Sequence, residues 1–160
     1  MPASSIADLH SFEEHIEAAA VTFLNTATGL DVYRSNSEAD YTTPRIEVKC
    51  EVGDAYEAPA ERGGGASSTT IDWVAYTSTF VISISTDNPV GQSADMVTYV
   101  GQTRAAMLRS ADNWDSTTLP YYDVKELKPI STSQDADGDF NETQLSYLLI
   151  FEIRNDAWPA

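Results

Sequence analysis

Arg45-Ile46-Glu47-Val48-Lys49-Cys50-Glu51-Val52 alternates apolar and charged residues without a break. In an extended chain successive side chains leave on opposite faces, so Ile46, Val48, Cys50 and Val52 point one way and Arg45, Glu47, Lys49 and Glu51 the other. Such a segment is a half-buried strand with its polar side in water. Downstream, Trp73 to Ser85 sets Tyr76, Phe80, Ile82 and Ile84 on one face against mostly Thr and Ser, a second strand and the expected antiparallel neighbour of the first.

Upstream, Ser11-Phe12-Glu13-Glu14 reads as a capping box, in which the Ser11 hydroxyl and the Glu14 carboxylate satisfy free backbone donors at a helix start. Ile16, Ala19, Ala20, Phe23, Leu24 and Ala27 then fall on one helical face, and Gly29 stops the helix as a left-handed residue would. Leu30 to Tyr33 reads as a short strand and Arg34 to Thr43 as a polar loop. Beyond Trp73 to Ser85, Asp87-Asn88-Pro89 breaks the sheet, and Ser93 caps a second helix with Met96, Val97, Val100, Met107 and Leu108 on one stripe. Gly101 in mid-helix costs about 1 kcal/mol against alanine, which predicts close backbone packing there. This helix is expected on the same sheet face as the first. After a polar stretch, Tyr121 to Leu127 reads as a strand whose end Pro129 places at an edge or a bulge. Leu145, Tyr147, Leu149, Phe151 and Ile153 alternate in the last strand, while Leu148 and Ile150 make its other face apolar too. That pattern marks a central strand or one covered by a neighbouring subunit.

The order predicts a single α+β domain over residues 1–160: a two-layer sandwich of a mainly antiparallel four- to five-stranded sheet with two helices on one face. A length of 160 residues with 42% hydrophobic residues is enough for one core. Residues 58–70, running Ala58-Pro59-Ala60-Glu61-Arg62-Gly63-Gly64-Gly65 and on through Ser and Thr, far exceed a hairpin loop. They predict a flexible Gly-rich loop, with Arg62, Gly63, Gly64 and Gly65 as its partner-contact residues.

Nine Lys and Arg against 25 Asp and Glu give a net charge of −16. Phosphate binding rests on cationic side chains that displace counterions, so this balance argues against a nucleic-acid binder and against anionic membranes. Cys50 is the only cysteine, which leaves no intramolecular disulfide and reads as a small packed residue. Met1 to Ser5 lacks the positive flank and apolar run of a signal peptide, so the reading expects a molecule made and used in solution.

No chemistry-bearing motif completes itself. His10 and His15 stand five apart across the start of the first helix, whereas a helical metal pair wants i, i+4; they read as exposed polar residues. There is no Gly-x-Ser-x-Gly elbow. Asp135-Ala136-Asp137-Gly138-Asp139 opens like a calcium loop, but the required Gly and terminal acid are Phe140 and Ser146. Asp135, Asp137 and Asp139 therefore read as an acidic hairpin tip. Gly63 to Gly65 lacks the Lys-Ser/Thr of a phosphate loop. The expectation is a non-enzyme without catalytic residues, cofactor or metal.

The helix ending at Gly29, the strand opened by Pro44-Arg45-Ile46-Glu47-Val48, Val100-Gly101-Gln102-Thr103-Arg104-Ala105-Ala106-Met107-Leu108 in the second helix and the closing Leu145 to Trp158 together resemble the tail terminators and related neck proteins of tailed bacteriophages and prophages. The resemblance covers most of the chain. It implies a virion protein of the neck or tail, assembled in the host cytoplasm: a ring of this chain with itself, usually a hexamer. Such a ring caps the tail tube protein and joins it to the head-side connector or adaptor, with DNA passing through unbound. The Gly-rich insertion and the acidity are not required by that pattern, which leaves room for a head-closure or tail-completion component. A small α+β hydrolase and an acidic interaction protein of a salty habitat are the readings from other classes.

Overall fold

The computed structural model describes residues 12–34, 43–51, 54–55, 73–87, 93–109, 122–137 and 140–154. Helix α1 spans Phe12–Thr28. It buries Ile16, Ala19, Ala20, Phe23 and Leu24, the expected face, although Ala27 is exposed in the last turn and Leu30 takes the buried place beyond it. The helix ends as the sequence requires: Gly29 adopts φ +72 and its N–H donates to the Asn25 carbonyl at 2.8 Å. Strand β1, Asp31–Arg34, follows at once.

The remaining elements are β2 Arg45–Cys50, the two-residue β3 Asp54–Ala55, β4 Trp73–Thr86, helix α2 Ala94–Leu108, β5 Tyr122–Asp137 and β6 Phe140–Arg154. The sheet order is β1-β2-β4-β6-β5, with β3 beside β4. Only β1 and β2 are parallel; all other pairs are antiparallel. The expected β2–β4 pairing holds in a register that sets Ile46 opposite Ile84, Val48 opposite Ile82 and Cys50 opposite Phe80.

Those pairs lie on one face, together with Leu145, Tyr147, Leu149, Phe151 and Ile153 of β6, and both helices pack on it in a single core. Phe80, Ile82, Ile84, Leu149 and Phe151 are completely buried there. Cys50 is buried as a small core residue, with Sγ 3.3 Å from Ser78 Oγ. The fold is the α+β architecture expected. β6 lies between β4 and β5, which accounts for its apolar second face: Leu148 and Ile150 are half-buried on the side of the sheet away from the helices.

Three local expectations change. β5 does not stop at Leu127 but continues to Asp137, with register shifts between Val124 and Glu126 and between Pro129 and Ser131. An edge strand has one row of backbone groups outside the ladder, so a bulge beside Pro129 absorbs the missing donor and the strand runs on. The stripe drawn on α2 is too wide: Met96 and Met107 are buried with Thr103 and Ala106, but Val97 is 52% and Leu108 84% exposed. At about 100° per residue, Val97 and Leu108 sit roughly a quarter-turn off the line through Met96, Val100, Thr103 and Met107. Gly101 is exposed, and a Cβ there would meet nothing within 4 Å among the described residues, so the close packing expected of it does not occur among them.

Candidate assembly surface

The two halves of the sheet are finished differently. Helix α1 covers β1 and β2 and is pinned to them by a buried carboxylate. Glu17 Oε1 accepts from Arg34 Nε at 2.9 Å, and Oε2 accepts from the Cys50 backbone N–H at 2.8 Å. Arg34 also reaches Glu14 at 3.4 Å. Beneath, the Ser78 hydroxyl donates to the Glu51 carbonyl and meets the Cys50 sulfur. Burial, reinforced by Glu13, Glu17 and Glu51 and opposed by the Ser78 hydrogen bond, pushes the Cys50 thiol up to about 12. A thiol so protonated is no nucleophile at neutral pH.

Helix α2 lies over the other half. Ser93 caps it, its Oγ accepting from the Met96 N–H at 3.3 Å, and the Arg109 N–H closes it onto the Ala105 and Ala106 carbonyls. Its C-terminal half stands beside β5 and β6 across a groove of about 320 Å³, with Met107, Leu108, Leu127, Pro129 and Leu145 as apolar lining and Arg104 and Tyr147 among its polar groups. Arg104 Nη2 donates to Thr132 Oγ1 at 3.2 Å across the groove. Burial raises the Tyr147 hydroxyl pKa, and the Arg104 charge draws it part of the way back.

Beyond the groove α2 does not reach. Every residue of β5 from Lys128 to Asp135 is exposed, including Thr132 and Gln134, which share the helix-covered face with Leu145 and Thr143. Among the described residues no strand pairs with the outer side of β5. Among the described residues the large apolar side chains left exposed are Val97, Leu108 and Ile130. Leu108 lines the groove, Ile130 sits in the bulge between the groove residues Pro129 and Ser131, and Val97 lies on the same flank of α2 as Leu108. The long outer strand β5 thus runs beside apolar side chains that the described residues leave in water.

The residues singled out in sequence do not gather here. Asp135 stands opposite Glu142 near the end of the β5–β6 hairpin, and Asp137 opposite Phe140; Asp139 lies outside the described residues. So do Arg62, Gly63, Gly64 and Gly65, and His10. His15 is half-buried, not exposed as expected, because it sits on α1 one residue before the fully buried Ile16. Among the described residues no three His, Cys, Asp or Glu side chains come together as a metal site, and no helix is long and apolar enough to cross a membrane. The α2–β5 surface was not legible beforehand, since Leu108 reads as core from periodicity; the interruption of the stripe by Gly101, Arg104 and Ala105 was the available signal.

No protein-family model matches the chain, and no curated protein matches it. Among solved structures, it is similar to a chain of the virion of a native gene transfer agent particle, with a TM-score of 0.43 and 14% identity over 88% of this chain and 92% of that one.

Proposed function

We propose that this chain is a structural subunit of a tailed-phage-like particle, and within that class a tail terminator: a ring that caps the tail tube and meets the head-side connector. The observation that carries the reading is the sixteen-residue β5, which lies at the sheet edge with exposed Ile130 in it and exposed Leu108 beside it. A monomeric protein protects so long an edge, with prolines, lysines or a covering loop along its length. Here Lys125, Lys128, Pro129 and two register shifts blunt its first half, and Ile130 to Asp135 carries neither Pro nor Lys.

The charge supports the same reading. A channel through which DNA must move works best when its wall does not bind phosphate, and a net charge of −16 suits such a wall. Negative-stain microscopy of the purified protein tests the proposal: rings with an axial hole are expected, together with no retardation of duplex DNA at physiological salt. A protein that stays monomeric at high concentration, or that binds duplex DNA, overturns it. A head-closure or tail-completion component would use the same edge, and co-assembly with tail tubes against co-assembly with connectors separates these roles.

A further inference from the structure

We propose that two copies of this chain pair through the outward face of α2, the two helices running antiparallel and crossing at Gly101. The inference goes beyond the ring reading and stands without it. Met96, Thr103, Ala106 and Met107 turn toward the core, and at about 100° per residue the opposite face carries Ala94, Val97, Thr98, Gly101, Ala105 and Leu108. All six are exposed. Between Asp95 and Arg104 the exposed residues of the helix are Val97, Thr98, Gly101 and Gln102, with no charge among them on a chain that is 21% charged. Depletion of charge beside exposed apolar side chains marks the centre of a protein contact rather than a solvated face. Thr98 adds no unmet donor to it, since its hydroxyl already donates to the Ala94 carbonyl at 2.9 Å.

Symmetry about Gly101 selects a second copy as the occupant. An antiparallel pair with its two-fold axis at Gly101 brings a residue a given number of places before Gly101 level with the residue as many places after it in the other helix. Val97 of one copy then faces Ala105 of the other, and Ala94 faces Leu108. Each larger side chain meets a small one, on both halves of the crossing, and Gly101 meets Gly101 where the backbones come closest. A slip of three residues sets Leu108 against Val97 and Gly101 against Arg104, so side-chain size favours one register. The pairing also gives Gly101 a role: a glycine in mid-helix weakens the helix that carries it, and among the described residues of its own subunit a Cβ there would meet nothing within 4 Å. One crossing of fifteen-residue helices, each about 22 Å long, covers less than the roughly 800 Å² per partner of a stable complex, so the pair is weak and forms with rising concentration.

Disulfide trapping tests the crossing. Gly101→Cys is compared with Gln102→Cys, the next residue along and about 100° round the helix. Cys50 is buried, and the parent oxidised in parallel gives the background. Both variants are checked for a parental thermal melt, then oxidised with glutathione disulfide over a range of protein concentrations and run on non-reducing gels. Facing 101 positions at a close crossing lie within the Cα separation that a disulfide spans, so Gly101→Cys is expected to become covalent dimer at least about tenfold faster than Gln102→Cys. Equal rates, or no dimer above the parental background, overturn the pair. Gly101→Leu supplies a second arm without chemistry: it is expected to keep the parental melt, because the added side chain enters open space, and to lower the dimer fraction in sedimentation velocity. An unchanged dimer fraction overturns the crossing as well. Rings in the parent beside equal trapping rates would remove the pair and leave the ring reading standing, and trapping at Gly101 without rings would do the reverse.

Discussion

Helices α1 and α2 are close in length and lie on the same face of one sheet, yet they are buried to different degrees. On α1, Ile16, Phe23 and Leu24 are all buried, and the helix end is tied down by the Thr28 hydroxyl on the Leu24 carbonyl at 2.8 Å and by Asn25 Nδ2 on the Leu30 carbonyl at 2.8 Å. On α2, Met96 and Met107 are buried, but Val97 and Leu108 are left in water beside β5, whose residues from Lys128 to Asp135 are exposed. The difference separates what the chain needs in order to fold from what it holds in reserve. Among the described residues the α1 side buries its large apolar side chains in the core, whereas the α2–β5 side leaves Val97, Leu108 and Ile130 exposed.

Two leucines give the sharpest break of this comparison. Leu24→Ala on α1 empties a fully buried site and should cost about 2–5 kcal/mol in urea denaturation. Leu108→Ala on α2 should move the free subunit by less than about 0.5 kcal/mol, since an exposed side chain leaves no cavity. Similar losses at the two sites would mean that Leu108 is packed within its own subunit. Next in size is Glu17→Gln. The amide keeps an acceptor for one partner but removes the charge that faces Arg34, and the melt should shift by the equivalent of about 1–3 kcal/mol. The same change made to Glu126, on the exposed pair with Lys128, should be nearly silent.

Alkaline stability sharpens the contrast further. The Cys50 thiol ordinarily titrates at 9.0 and is held at about 12 in the fold, so the unfolded chain releases its proton first. Its contribution is fully present below pH 9 and is lost as pH rises toward about 12, at up to about 1.4 kcal/mol per pH unit. Tyr147, raised by burial, acts in the same direction. Thermal melts from pH 8 to 11 should therefore fall less steeply in Cys50→Ala than in the parent; parallel curves would remove Cys50 from the account. The smallest effect has the opposite sign. Gly101→Ala adds a methyl group where nothing lies within 4 Å and should stabilise the subunit by about 0.5–1 kcal/mol. Destabilisation would show a packing contact at Gly101 after all.

Much of the fold was legible because its signals are local and redundant. The unbroken alternation of Arg45 to Cys50 and the odd-numbered apolar series from Leu145 to Ile153 each specify a strand and its buried face, and Gly29 fixes a helix end by backbone conformation alone. What sequence could not supply was the extent of β5. Ser131 to Asp135 has no apolar periodicity, in keeping with its exposure on both faces, and Pro129 reads as a stop until an edge position makes its missing N–H harmless. The same reason hid the candidate surface. Val97 and Leu108 obey helical spacing closely enough to be taken as core, and only the packed structure shows which apolar side chains the core leaves out.

The central claim is that the α2–β5 side is an assembly surface on an otherwise self-sufficient domain. Native mass spectrometry of the parent beside Leu108→Glu combined with Ile130→Glu, over a range of protein concentrations, tests it most directly. The account predicts multimers of the parent, a monomeric double variant at every concentration, and equal melting temperatures for the two proteins measured as monomers. Parental multimers in the double variant, or a parent that never leaves the monomer, would contradict it.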